Sequence, residues 1–292
     1  MADFTKQSLL VTGASGHLGQ LAVEELLARG ASRVIAGTRD PAKLERFKSR
    51  GVEVRKIDFD DTALAEALVG VDRMLMISTD AIGTRIEQQA YAATAAKAAG
   101  VKHIVYTSAP SPRPNAGGGA AIDHYWTEQA IAATGLDFTF MRNHIYAEIT
   151  LMGAPAALGS GQLFDATDGR GRAYVTRADA ARAAAGALLS AEGKSIHDVT
   201  GPAAITQEEL AALLAELSGK PVTRVGLTGE QLRQGLVASG VPEGMAHVLV
   251  AFDRDAAEGY HAVVSDTVER FSGRQPQSVR DFLVDNRAAL SA

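Results

Sequence analysis

Thr12-Gly13-Ala14-Ser15-Gly16-His17-Leu18-Gly19 follows a short apolar run at 8–12 and opens a helical pattern at 18–29. Its glycines stand at G-x-x-G-x-x-G spacing. A strand that turns at once into a helix through glycines lets a phosphate approach the backbone, because no Cβ intervenes and the helix N-terminus presents N–H donors with a positive dipole end. Gly13, Ser15, Gly16, His17, Leu18 and Gly19 are therefore candidate contacts to a dinucleotide pyrophosphate, the alternative being a merely structural tight turn.

Working outward, apolar runs at 33–38, 52–57, 73–77, 103–107 and 138–141 alternate with helical patterns at 41–49, 63–69, 85–99 and 123–134. Several runs are Val-, Ile- or Leu-rich without alternation, as strands covered on both faces require. The pattern predicts an α/β fold: a doubly wound parallel sheet of the Rossmann kind over 1–145. The part from 146 to 292 reads as a smaller, mostly helical region for substrate, with some segments packing back on the sheet. Two helices are marked there: an alanine-rich one opened by Thr176-Arg177-Ala178-Asp179, and one opened by Thr206-Gln207-Glu208-Glu209 at capping-box spacing. The alanines at 180–187 allow close approach to a sheet, or reflect helix propensity alone.

Composition narrows the function. The 292 residues carry 29 basic and 34 acidic side chains, a net charge of −5, with 46% hydrophobic and 22% charged residues. This is ordinary globular composition and argues against a general nucleic-acid or anionic-membrane binder. There is no cysteine, so disulfides, thiolate metal sites and cysteine nucleophiles are excluded, and no metal site is expected. The N-terminal residues lack a secretory pattern and no stretch has the length of a membrane span, which makes the cytoplasm the expected location.

Twenty positions beyond Gly19 stands Thr38-Arg39-Asp40-Pro41. An acidic residue at that strand tip would bind the ribose 2′-hydroxyl of NAD, whereas Arg suits the 2′-phosphate of NADP. Asp40 precedes a proline that fits the first helical position, so it reads as an N-cap. Arg39 then favours NADP(H), with NADPH preferred over NADH, unless it is a solvated surface arginine. Asp58 and Phe59 are candidate neighbours of the adenine, and Ile77, Ser78 and Thr79 of the ribose, though each group also reads as loop chemistry.

These pieces together resemble the NmrA-like atypical short-chain dehydrogenases, and within them the NAD(P)H:quinone oxidoreductases and triphenylmethane reductases. The resemblance rests on residues 11–19, on Thr38-Arg39-Asp40-Pro41-Ala42-Lys43, Leu75-Met76-Ile77-Ser78 and Ile104-Val105-Tyr106-Thr107-Ser108. It continues through His124-Tyr125-Trp126-Thr127-Glu128, Met141-Arg142-Asn143 with Tyr146, and Thr176-Arg177-Ala178-Asp179. It implies NADPH at the glycine loop and a substrate between the nucleotide-binding part and a smaller C-terminal part. It also implies that Asn143 and Tyr146 line the nicotinamide region.

Ordinary short-chain dehydrogenases place Tyr and Lys four residues apart on the helix after the fifth strand. Here that helix carries His124 and Glu128, and Tyr125 has Gln129 as its partner four residues on. The quinone reductases that the chain resembles have a lysine at the position of Gln129. Alcohol oxidation through an activated tyrosinate is therefore disfavoured, whereas a quinone or dye takes hydride directly and needs chiefly orientation. His124 is a candidate proton donor to a quinol oxygen, or else a helix-surface histidine paired with Glu128. Ser108 and Tyr146 are further catalytic candidates, Ser108 also reading as a turn hydroxyl and Tyr146 as packing. Residues 109–119, with three prolines and three consecutive glycines, read as a lid, a substrate wall or an inert excursion. Trp126 is expected in the core.

Two other readings remain open: an NADP-binding redox sensor without turnover, and a reductase or isomerase of a lignin-like aromatic. The expected partner is a small aromatic or quinone substrate, and the expected assembly a monomer or homodimer.

Overall fold

The seven-strand arrangement grows from runs such as Leu9-Leu10-Val11, whose side chains are all fully buried because helices cover both sides. The computed structural model describes residues 3–81, 83–115 and 120–290. The first half alternates β1 (Ser8–Val11), α1 (His17–Ala28), β2 (Arg33–Thr38), α2 (Glu45–Lys48), β3 (Glu53–Lys56), α3 (Leu64–Ala67), β4 (Arg73–Met76), α4 (Arg85–Ala98), β5 (His103–Ser108), α5 (Ala120–Ala133) and β6 (Asp137–Asn143). Then come α6 (Glu148–Ser160), β7 (Gln162–Asp165), α7 (Arg177–Ser190), β8 (Lys194–Val199), α8 (Gln207–Ser218), β9 (Thr223–Gly226), α9 (Gly229–Ala238), α10 (Glu243–Ala257), α11 (Thr267–Ser272) and α12 (Val279–Asp285).

The main sheet has the order β3-β2-β1-β4-β5-β6-β8, and every pairing in it is parallel. This is the doubly wound sheet expected, extended by one strand. One face packs on α1, α2, α7 and α11, the other on α3, α4 and α5. A third apolar cluster joins α6, α8 and α12, and β7 pairs with β9 beside it. The later residues thus divide: β8, α7 and α11 join the sheet layers, while α6, α8 and α12 share a separate core. The strands β7, β8 and β9 escaped the reading of the region as mostly helical, because each is short and partly polar. No described helix is long and apolar enough to cross a membrane.

Local chemistry explains several boundaries. Asp40 caps its segment, accepting from the N–H of Ala42 at 3.2 Å with Pro41 next, although the segment opens as a 3₁₀ turn before α2. Thr206 and Glu209 form a reciprocal capping box on α8, and Gly219 closes it in the left-handed conformation. The alanines of α7 are buried from Ala180 to Ala187, so α7 lies close to α1 and α11. Gly186 is the tightest point: a Cβ there would fall 1.9 Å from the carbonyl oxygen of Phe271.

Gly186→Ala should therefore push α11 off α7 and destabilise the protein by about 1–3 kcal/mol. A lowered urea midpoint at unchanged m would show it, and an unchanged midpoint would mean that the contact yields freely.

Candidate active site

The first four strands end on one edge of the sheet, and the turns leaving them enclose a cleft of about 560 Å³. Gly13 has φ +59°, the left-handed region that glycine adopts at little cost, and the loop closes as the N–H of Gly16 donates to the Gly13 carbonyl at 2.9 Å. Ala14 N–H donates to Gly37 O at 2.9 Å, tying the loop to β2. Ser15 Oγ lies 2.9 Å from Thr38 Oγ1, and Gln20 Nε2 donates to the Ser15 carbonyl at 2.8 Å. A Cβ on Gly19 would fall 2.3 Å from the Gly13 oxygen, so only glycine lets α1 start this close to β1.

Helix α1 begins differently from α7, with which it shares an apolar layer. In α7, α8, α9 and α12 a side-chain oxygen of Thr176, Thr206, Thr228 or Ser278 accepts a first-turn N–H. At α1 the N-cap is Gly16, with no side-chain cap and no acidic residue in the first turn. The first-turn residues His17, Leu18 and Gly19 line the cleft, and an anion placed there would receive donors of the kind that α7, α8, α9 and α12 satisfy internally.

Gly13, Ser15, Gly16, His17, Leu18, Gly19, Arg39, Asp58, Phe59, Ile77, Ser78 and Thr79 are all brought together around this cleft. Arg39 is exposed at its rim while Asp40 is engaged as a cap. The turn after β4 is fixed by three hydrogen bonds: Ile77 N–H to Thr12 Oγ1 at 3.0 Å, Ser78 N–H to Thr107 Oγ1 at 2.9 Å, and Thr79 N–H to Gln89 Oε1 at 3.2 Å.

Arg177 also lines the cleft, a residue to which the sequence reading gave no role. It is the first residue of α7, where the helix dipole disfavours a cation, a local signal that could have singled it out. Its guanidinium lies 4.9 Å from the Tyr146 ring centre and 3.8 Å from Glu148. Asn143 Nδ2 donates to the Tyr146 hydroxyl at 3.1 Å, and burial pushes that phenol up. Asn143 Oδ1 is buried with no partner among the described residues. Asn143 and Tyr146 thus stand behind Arg177 and are not part of the cleft wall itself.

Two catalytic candidates are placed elsewhere. His124 is not a surface histidine paired with Glu128: it is buried, and its Nδ1 lies 2.7 Å from the Tyr106 hydroxyl. Burial, with Arg85 nearby, lowers it to about 3, which favours the neutral ring. Glu128 instead accepts from Ser108 Oγ at 2.7 Å and from Arg142 at 3.0 and 2.7 Å, so Ser108, the last residue of β5, is held by the carboxylate of the Glu128–Arg142 ion pair and is not a turn hydroxyl. Trp126 is not in the core. It is 48% exposed and meets Tyr125 edge-on at 5.1 Å. Within 109–119, Arg113 donates to Asp255 at 2.7 Å and lies 3.9 Å from the Tyr260 ring, so this loop is clasped to α10 and its far side, and residues 116–119 lie outside the described set.

An uncapped helix start, a glycine loop without Cβ atoms and a cation at the rim fit a phosphorylated dinucleotide. Comparison with known proteins agrees. The pattern of the NmrA-like family matches residues 5–283. Quinone oxidoreductase 2 of Escherichia coli is 38% identical over 273 residues, 91% of this chain and 93% of that protein. Among solved structures, an Escherichia coli NADPH-dependent quinone oxidoreductase complexed with NADPH superposes with a TM-score of 0.90 at 35% identity, covering 95% of this chain and 99% of that one. The Citrobacter sp. triphenylmethane reductase complexed with NADP(H) gives 0.85 at 32% identity, covering 95% and 99%.

The buried imidazoles have a measurable consequence. His103, His124 and His261 are each lowered to about 3, chiefly by burial, from an ordinary value of 6.5. The unfolded chain then binds more protons between those limits, so their contribution to stability is intact above pH 6.5 and is lost as pH falls toward 3. His124→Gln should flatten the fall in unfolding free energy between pH 6 and 4 by roughly 1.4 kcal/mol per pH unit. An unchanged slope in urea titrations would show that His124 takes up protons in the folded state.

Proposed function

This chain belongs to the NmrA-like family, and on that premise we propose that it is an NADPH-dependent oxidoreductase passing hydride to a quinone or a similarly conjugated aromatic acceptor. The observation that carries the reading is the glycine loop at the uncapped start of α1 with Arg39 at the rim of the same cleft. The loop N–H groups would hold the pyrophosphate, and Arg39 would hold the 2′-phosphate as a charge-assisted pair. NADPH, when bound, supplies a hydride. Asp58 and Phe59 would flank the adenine, and Ile77, Ser78 and Thr79 the ribose, on a turn held by Thr12, Thr107 and Gln89.

Tyr125 supports a direct hydride acceptor over an alcohol. It packs on Trp126, and its partner four residues on is the exposed Gln129, so no lysine on this helix stabilises a tyrosinate. An electron-poor acceptor needs no such base. The residues then have to orient two planar systems and keep water from the transfer.

Steady-state NADPH oxidation should be seen with quinones or cationic dyes and not in reverse with secondary alcohols. Arg39→Ala should weaken NADPH by about 1.5–3 kcal/mol while leaving NADH nearly unchanged. Gly16→Val should abolish nucleotide binding in a fluorescence titration with the fold intact by circular dichroism. Equal NADPH and NADH affinity in the parent protein overturns the cofactor assignment, and NADPH binding without any acceptor reduced overturns the reaction.

A further inference from the structure

Among the described residues that line the cleft, all but one come from the first 88 positions; the exception is Arg177, brought in by the second half of the chain. Its side chain is partly enclosed. Other enclosed arginines of this protein use their donors internally: Arg142 on Glu128, Arg224 on Asp165, and Arg73 on the carbonyls that close α7. The Arg177 guanidinium makes no hydrogen bond to a described residue. Its distance to the Glu148 carboxylate is 3.8 Å, too long for one, and the Tyr146 ring, centred 4.9 Å away, holds the cation by its π face without accepting from the donor edge. Glu148 accepts the backbone N–H of Arg177 at 3.0 and 3.3 Å, and Thr176 Oγ1 accepts that of Asp179 at 3.0 Å. The helix start itself is thus closed, and the open donors are those of the guanidinium. An arginine fork with free donors in a cleft suits an oxyanion.

Topology decides which oxyanion. Helix α1 leaves the glycine loop at the edge where the strands end. Helix α7 ends against Arg73, at the start of β4, so it begins at that same edge, in the apolar layer that it shares with α1. The bridge between Tyr146 and Val175 sets its start just past the end of β6. In the order β3-β2-β1-β4-β5-β6-β8, Arg39, just past β2, therefore stands on one side of the glycine loop and Arg177 on the other. A dinucleotide carries two linked phosphates at its middle. With its 2′-phosphate on Arg39 and its adenosine-side phosphate on the loop N–H groups, its second phosphate is directed toward β4 and β6, the side from which Arg177 comes.

Resting on the function proposed above, we infer that Arg177 is a phosphate-binding residue for the nicotinamide-side phosphate of the dinucleotide, acting from the β6 side of the glycine loop. The loop supplies neutral N–H donors and Arg177 a full positive charge. Tyr146 and Glu148 position it: the ring restrains the guanidinium and the carboxylate holds the backbone that carries it. The role accounts for a cation at a helix position where the dipole disfavours one.

Calorimetric titration with four ligands tests the assignment without turnover: NADPH, NADH, 2′-phospho-ADP-ribose, which keeps both linked phosphates, and adenosine 2′,5′-bisphosphate, which lacks the second. Arg177→Gln keeps the N–H that Glu148 accepts. It should weaken the first three alike, by about tenfold to a hundredfold, and leave the bisphosphate unchanged. Arg177→Lys, a second variant that retains the charge but not the fork, should fall between the parent and Arg177→Gln for the same three ligands. Arg39→Ala, in contrast, should spare NADH. A loss confined to NADPH and NADH, with 2′-phospho-ADP-ribose spared, places Arg177 on the nicotinamide and overturns the phosphate assignment. Unchanged binding of all four ligands, with a raised KM for a quinone, gives Arg177 to the acceptor and overturns it as well. A parent that binds NADPH and NADH equally, and loses both with Arg177→Gln, overturns the 2′-phosphate preference and upholds this assignment. A parent that binds neither nucleotide overturns the function and the assignment with it.

Discussion

The guanidinium of Arg73, buried under the centre of the sheet, couples the two halves of the chain. It stands at the start of β4 and donates to the carbonyls of Leu188 at 2.7 Å and Ala191 at 2.6 Å, at the end of α7. Among the described residues no carboxylate bonds it directly; the negative end of a helix takes that place. Burial lowers even this guanidinium, to about 10, which reports how much hydration the cation has given up. The exchange fixes the C-terminal end of α7 against the sheet. The other end of the same helix begins with Arg177, which lines the cleft.

The chemistry of the cleft follows from where hydrogen bonds are made and where they are left open. Most helices of the second half start on a Thr or Ser cap, which closes them to outside ligands. Helix α1 starts on glycine and remains open. The same contrast holds for ion pairs: Glu128 is closed by Arg142 and Ser108, while Arg39 makes no ion pair with a described residue. Groups satisfied internally build the scaffold, and those left open define what can be bound.

Much of this was legible in the residues. The glycine spacing, the strand-helix alternation and the Asp40-Pro41 cap depend on local geometry, which a sequence encodes within a few positions. What escaped reading depends on distant partners. His124 and His144 look alike as isolated histidines; only the fold sets one against Tyr106 and the other against Asp198. Trp126 stands at helical spacing but on the outer side of α5, a choice made by the packing of β5 and α4. Arg177 had a local signal, a cation at a helix start, although its position in the cleft needed the tertiary structure. The short strands β7 and β9 pair only with each other, and nothing in either segment announces the partner.

The alanine face of α7 has a consequence for how this protein can drift. Alanine and glycine have no rotamers to adjust, so the spacing between α1, α7 and α11 is set by backbone against backbone. Nearly every single-nucleotide change at these positions adds bulk or charge to a layer with no room for either. A saturation-mutagenesis map would therefore show a band of intolerance along α7 as deep as that around a reaction centre, although Ala180 to Ala187 line no part of the cleft. Such a band would measure the tolerances of a hinge-free frame. Tolerance profiles for this fold need a separate stability axis before they are read as maps of chemistry.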